Sequence, residues 1–161
     1  MITNHIMFFY RICNKLHYSQ VKQKNIVKKS FFNLLLIILN GYYRLLSSIL
    51  YGAFIPYTAK IGNNIKFPHG LFGIFISMGA EIGNNCTIFH HVTIGSSKGY
   101  SPKIGDKVFI GCNSCIIGKV IIGTNCQIGA GTTVADAEIP DNSTVVGCQF
   151  RIVNEKIMDN K

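Results

Sequence analysis

From residue 104 onward a bulky aliphatic returns every six residues: Ile104, Ile110, Ile116, Ile122, Ile128 and Val134. Four residues after the first five of these stand Val108, Ser114, Val120, Cys126 and Thr132, all small or β-branched. Glycine follows the aliphatic at Gly105, Gly111, Gly123 and Gly129, and asparagine occupies turns at Asn113 and Asn125. The same grammar recurs upstream in Ile61-Gly-Asn-Asn, Ile82-Gly-Asn-Asn-Cys86 and Ile94-Gly. A period of six suits neither a helix nor a long alternating strand. It suits a short strand and a tight turn repeated three to a coil, winding a triangular prism. Each inward pair then sets a large aliphatic against a small partner, and Gly and Asn serve the corners because they tolerate positive φ. Coils stack at a strand spacing of about 4.8 Å, so each covers the edge of the next. Cys86 and Cys126 fall on inward positions, where free cysteines are often found. The pattern covers roughly residues 55 to 147.

The beat breaks twice. Phe67 to Ile76 is nine residues, three too many, around His69. Ile94 to Ile104 is ten, four too many, in a Gly/Ser loop stopped by Pro102. Surplus residues must leave the prism wall, and loops displaced from a rigid scaffold are the usual seat of chemistry. The two breaks emerge at different corners of one prism. They meet only if a neighbouring copy supplies the second loop across a threefold axis, which predicts a homotrimer with sites between copies. His90 and His91 follow Ile88 by two and three residues, at a turn. His90 is thereby a candidate for lining an acceptor pocket.

Charge changes the picture at the N-terminus. No Asp or Glu precedes Glu81, whereas nine Lys and Arg do, so the whole net charge of +9 comes from that half. Such asymmetry points to an anionic partner. A nucleic-acid reader would need a recognisable motif, and none appears. The apolar run Phe31–Leu39 follows Lys28-Lys29 and Ser30, which reads as a helix N-cap. Between Lys29 and Arg44 lie 14 uncharged residues, short of the roughly 20 that span a bilayer. The expected roles are helical docking or oligomerisation, with an anionic membrane surface as the alternative partner. The domains predicted are a helical segment over 1–52, the prism over 53–150 and a tail over 151–161.

Six cysteines include a lone Cys112-Asn-Ser-Cys115, a weak metal signal without a second pair. The first residues carry no secretory pattern, so reduced thiols and a cytoplasmic protein are expected, peripheral at most to the inner membrane face. A zinc site would require His69, His90 and His91 to converge, and the adjacent pair is not expected to face one point. No metal is expected.

Several stretches resemble the serine acetyltransferase-like branch of the hexapeptide acyltransferases: Phe-Pro-His69…Gly-Ile-Phe-Ile, Cys86-Thr-Ile-Phe-His-His-Val-Thr-Ile-Gly95, Pro102-Lys-Ile-Gly105, Ile128-Gly-Ala-Gly-Thr-Thr-Val134 and Arg151-Ile-Val. The resemblance covers about two-thirds of the chain and implies a mainly β fold, a left-handed parallel β-helix, here preceded by a short α-helical segment. It implies acetyl-CoA as co-substrate, with His69 as the general base that deprotonates an acceptor hydroxyl attacking the thioester. Backbone N–H groups of the loop would stabilise the oxyanion. It further implies a cofactor groove lined by Gly95, Cys112, Ala130 and Ala135, with Arg151 near the phosphates. Serine-specific members carry Asp where Pro68 stands, Arg-His where Tyr100 and Ser101 stand, and a supporting Asp near Phe54. With those charges missing, the expected acceptor is a surface-polysaccharide sugar held by His90, Tyr100 and Ser101. L-serine is the alternative, and a non-catalytic binding scaffold is the rival of another class.

Overall fold

A computed structural model describes residues 2–21 and 26–147. Two helices come first, α1 (Ile2–Val21) and α2 (Ile26–Tyr51). Ser30 lies inside α2 rather than capping it, and the helix runs on through Lys29 and Arg44. Thus the count of 14 uncharged residues understates the element: at 26 residues α2 is long and apolar enough to cross a bilayer, by length and composition only.

Short parallel strands follow: β1 (Lys60–Ile61), β2 (Phe75–Ile76), β3 (Glu81–Ile82), β4 (Thr87–Ile88), β5 (Thr93–Gly95), β6 (Lys103–Ile104) and β7 (Phe109–Ile110). Then come β8 (Cys115–Ile117), β9 (Ile121–Ile122), β10 (Gln127–Ile128), β11 (Thr133–Ala135), β12 (Glu138–Ile139) and β13 (Thr144–Val145). They form three walls of a prism: β1-β3-β6-β9-β12, β4-β7-β10-β13 and β2-β5-β8-β11. Ile61, Ile82, Ile104, Ile122 and Ile139 stack in register up the first wall. All are buried, as are the small partners Val108, Ser114, Val120, Cys126 and Thr132. The predicted inward pairing is therefore met at every position. A full burial of each isoleucine contributes about 1.5–3 kcal/mol, so the stack dominates stability.

Corners take the expected chemistry. Asn64, Asn85, Asn113, Asn125 and Asn142 all have φ between 56° and 61°. Asn64 donates to Asn85 and Asn125 to Asn142 through their side-chain amides, each at 2.8 Å. One corner differs from the six-residue beat: Val134 to Ile139 is five residues, and Asp136 turns there with φ 45°. The thiols of Cys86 and Cys126 donate inside the prism to Gly105 O (3.2 Å) and Pro140 O (3.0 Å).

Helix α1 seals the first coil. Ile6, Tyr10 and Cys13 are buried against it. The Tyr10 hydroxyl donates to Ala59 O at 2.7 Å, Arg11 donates to the carbonyls of Ile61 and Gly62, and Asn14 Nδ2 donates to Tyr57 O at 2.7 Å. An edge strand would otherwise offer these groups to another chain. Burial pushes the Tyr10 hydroxyl up to about 12 from its usual 10. The folded value is the higher one, so the contribution is intact below pH 10 and disappears as pH rises toward 12. Denaturant unfolding from pH 7 to 12 will show stability dropping across that window by on the order of 2–3 kcal/mol. In Tyr10→Phe the drop will be shallower, on a baseline about 1 kcal/mol lower at pH 7.

Candidate active site

The three surplus residues at the first break form a loop after His69. Gly70 and Gly73 both take left-handed φ, 73° and 63°. Gly73 N–H donates to Tyr51 O at 2.8 Å, and the wall resumes when His91 N–H donates to Phe72 O at 2.8 Å. Gly73 must be glycine for a second reason: a Cβ there would collide with the His91 imidazole. His91 itself sits at φ 56°, the corner position that Asn113 and Gly131 hold in later coils.

The extra residues lengthen this coil to 21, the step by which Lys66 pairs with Thr87. His69 and His90 are also 21 apart, so their side chains meet across the coils. Their Nδ1 atoms lie 2.9 Å apart and the ring centroids 4.9 Å. Phe89 meets His69 edge-on at 5.2 Å. Two Nδ1 atoms at this distance share one proton. The ring that donates keeps a lone pair on Nε2, while the ring that accepts carries its proton on Nε2. In either arrangement the bond leaves one of the two neutral rings with a free lone pair on Nε2.

His69, His90 and His91 line one open cleft of about 650 Å³ together with Tyr51, Gly52, Phe72 and Gly73. His90 and His91 both line this cleft, with ring centroids 5.4 Å apart and His91 at a left-handed φ of 56°. Tyr51 and Phe72 pack edge to face at 4.7 Å and form an aromatic rim. Among the described residues that line the cleft, none is Asp, Glu, Lys or Arg. No group of three His, Cys, Asp or Glu among the described residues is arranged to hold a metal ion.

The remaining predicted positions separate into two edges of the third wall. Cys112 and Ala130 continue the ladder above His90, through Asn113 N–H to His90 O (3.2 Å) and Gly131 N–H to Cys112 O (2.8 Å). Gly95 and Ala135 lie at the other edge, where Gly95, Ile117 and Ala135 stack in register. Gly95 is buried and Ala135 exposed. Tyr100 and Ser101 belong to that second edge too. Their loop is a small hairpin, with Ser97 and Tyr100 exchanging backbone hydrogen bonds of 3.0 and 2.9 Å around Lys98 and Gly99. Positive φ at both tip residues (51° and 80°) fits a tight primed turn. Ser101 Oγ lies 2.8 Å from Ser96 Oγ, and the Lys119 ammonium sits 5.8 Å from the Tyr100 ring centroid. Neither Tyr100 nor Ser101 lines the cleft that holds His69. Arg151 lies outside the described residues.

Comparison with known proteins places the chain. The family model for bacterial transferase hexapeptide (six repeats) matches residues 101–136. A protein of Escherichia coli K12 named for colanic acid biosynthesis, the acetyltransferase WcaB, is 33% identical over 146 residues, covering 89% of this chain and 85% of its own length. The crystal structure of Neisseria gonorrhoeae serine acetyltransferase in complex with serine superposes with a TM-score of 0.70 at 34% identity, over 89% of this chain and 54% of that one. A serine acetyltransferase in complex with CoA gives a TM-score of 0.70 at 30% identity, over 92% and 56%. The chain thus spans about half the length of the solved serine acetyltransferases it matches. The prism is the left-handed parallel β-helix of these enzymes. With a WcaB-length match and a shared coil architecture, the chain belongs to the hexapeptide-repeat acyltransferases, in their serine acetyltransferase-like branch.

Proposed function

We propose that the protein is an acetyl-CoA-dependent O-acetyltransferase acting on a sugar hydroxyl. The observation that carries the acceptor choice is the cleft itself: a histidine pair, an aromatic rim and no carboxylate, ammonium or guanidinium lining. Free serine brings an ammonium and a carboxylate, each costly to desolvate without a counter-charge. A sugar brings hydroxyls and an apolar ring face that packs on Tyr51 or Phe72. The length match to WcaB, named for colanic acid biosynthesis, supports the same reading.

In this mechanism His69 Nδ1–H donates a hydrogen bond to His90 Nδ1, leaving Nε2 free to take the acceptor's hydroxyl proton. The oxygen attacks the thioester carbonyl of acetyl-CoA, and the tetrahedral adduct collapses with cleavage of the C–S bond. The imidazolium returns its proton to the departing thiolate, giving an O-acetyl ester and CoA thiol. No covalent acyl-enzyme is needed when both substrates are bound together. A threefold assembly completes the site: the edge bearing Gly95, Ala135 and the Tyr100–Ser101 hairpin of one copy meets the His69–Cys112–Ala130 edge of the next, forming a groove for the cofactor. L-serine is the second reading, favoured by the serine-bound gonococcal relative. Release of CoA thiol from acetyl-CoA, monitored with L-serine or with surface-polysaccharide sugars, tests the proposal. Turnover with a glycan and not with serine is expected; the reverse would make the protein a serine acetyltransferase.

A further inference from the structure

Helix α2 is apolar on a side that no described residue buries. Leu36, Tyr43 and Ser47 are its buried residues and share one face. Phe31, Leu34, Ile38, Leu45 and Ile49 recur at spacings of three, four and seven, which puts them on the opposite face, and each is 59–71% exposed. A stripe of five large apolar side chains along one helix exceeds the scattered exposure normal for a soluble surface.

We infer that this stripe docks on an anionic lipid bilayer, with α2 lying in the plane of the interface. Charge selects the occupant. Residues 1–51 carry Arg11, Lys15, Lys22, Lys24, Lys28, Lys29 and Arg44, and no Asp or Glu precedes Glu81. A second copy seated on the same face would bring two basic segments together without a compensating carboxylate, whereas an anionic headgroup layer complements them. The in-plane orientation follows from α1. It lies along α2, with Phe9 and Tyr42 edge to face at 5.2 Å and Gln20 donating to Asn33 Oδ1. Through Tyr10, Arg11 and Asn14 it is also bonded to the first coil. Threading α2 through a bilayer would drag these polar contacts into hydrocarbon. Docked flat, the helix also sets the histidine cleft close to the lipid surface, because Tyr51 and Gly52, at its C-terminal end, line that cleft.

The test is co-sedimentation of the full chain with vesicles of phosphatidylcholine alone and of phosphatidylcholine mixed with phosphatidylglycerol. Binding to the mixed vesicles is expected, at least about tenfold tighter than to the neutral ones and weakened by salt. The double variant Phe31→Asp and Ile38→Asp is expected to lose that binding about a hundredfold while keeping its helical circular dichroism and its acetyltransfer to a soluble acceptor. Amide exchange over residues 26–51 should slow on the mixed vesicles. Absence of wild-type binding, or equal binding by the double variant, overturns the inference. So does a change in oligomeric state in that variant, which would assign the stripe to a second copy.

Discussion

Replacing His69 with alanine is expected to lower kcat/KM for acetyl transfer by about 10²–10⁴ while leaving the fold intact. The magnitude is that of losing a positioned general base, about 3–5 kcal/mol of barrier. The fold survives because His69 is exposed on a loop. His90 offers the discriminating comparison. In the proposed mechanism it acts through His69, its Nδ1 2.9 Å away accepting the hydrogen bond that fixes the tautomer. His90→Ala should therefore cost about tenfold in kcat with little change in KM for acetyl-CoA, and His90→Gln, which retains an acceptor, should recover part of it. Combining His90→Ala with His69→Ala should be no worse than His69→Ala alone. Steady-state kinetics on the three variants and the pair decide the matter, and additive losses would mean that the two rings serve separate ends.

The largest stability effect is expected from Gly83→Ala. Gly62, Gly83, Gly105 and Gly123 stack at one corner so closely that side chains have no room. A Cβ on Gly83 would lie 2.5 Å from both the carbonyl carbon and the oxygen of Gly105, and would also strike Asp106 Oδ1. The obstacle is backbone, which cannot rotate away, so adjoining coils must spread and stretch the hydrogen bond from Gly83 N–H to Ile104 O (2.8 Å). Overpacking of this kind costs about 3 kcal/mol, or roughly 6–12 °C in apparent Tm for a chain of this size. Gly41→Ala provides the contrast. Nothing lies within 4 Å of a Cβ there, and the helix interior favours alanine by about 0.5–1 kcal/mol. Thermal melts followed by circular dichroism should move in opposite directions for the two variants.

How much of this was legible beforehand depends on whether the information was local. The walls were readable because each inward isoleucine and its small partner obey a fixed spacing, and Ile104, Ile110, Ile116, Ile122 and Ile128 are all buried as the period requires. The two register breaks were readable as counts of nine and ten. What the breaks do was less accessible. The pairing of His69 with His90 depends on the lengthened coil bringing residues 21 apart face to face, which a search at the regular step of 18 passes over. The arrival of His91 in the same cleft depends on a left-handed φ that histidine adopts only sparingly. The 97–100 hairpin carried a signal, the Lys98-Gly99 pair, that was masked by the surrounding serines. The start of α2 was misplaced because Ser30 favours caps in general, yet the preceding turn was helical as well. The aromatic rim of Tyr51 and Phe72 comes from residues in separate segments and had no sequence signature.

Among the contacts between the helices and the prism, one falls at a sensitive spot. The amide of Gly73 holds the carbonyl of Tyr51, the last residue of α2, and a Cβ on Gly73 would already touch the His91 ring. A displacement of the last turn of α2 reaches the imidazoles through that tether, while strain farther along the helices is shared with the Tyr10, Arg11 and Asn14 bonds to the first coil. A change that moves the end of α2 is consequently a perturbation of the chemistry, whereas cargo hung from a far corner of the spool travels as a passenger.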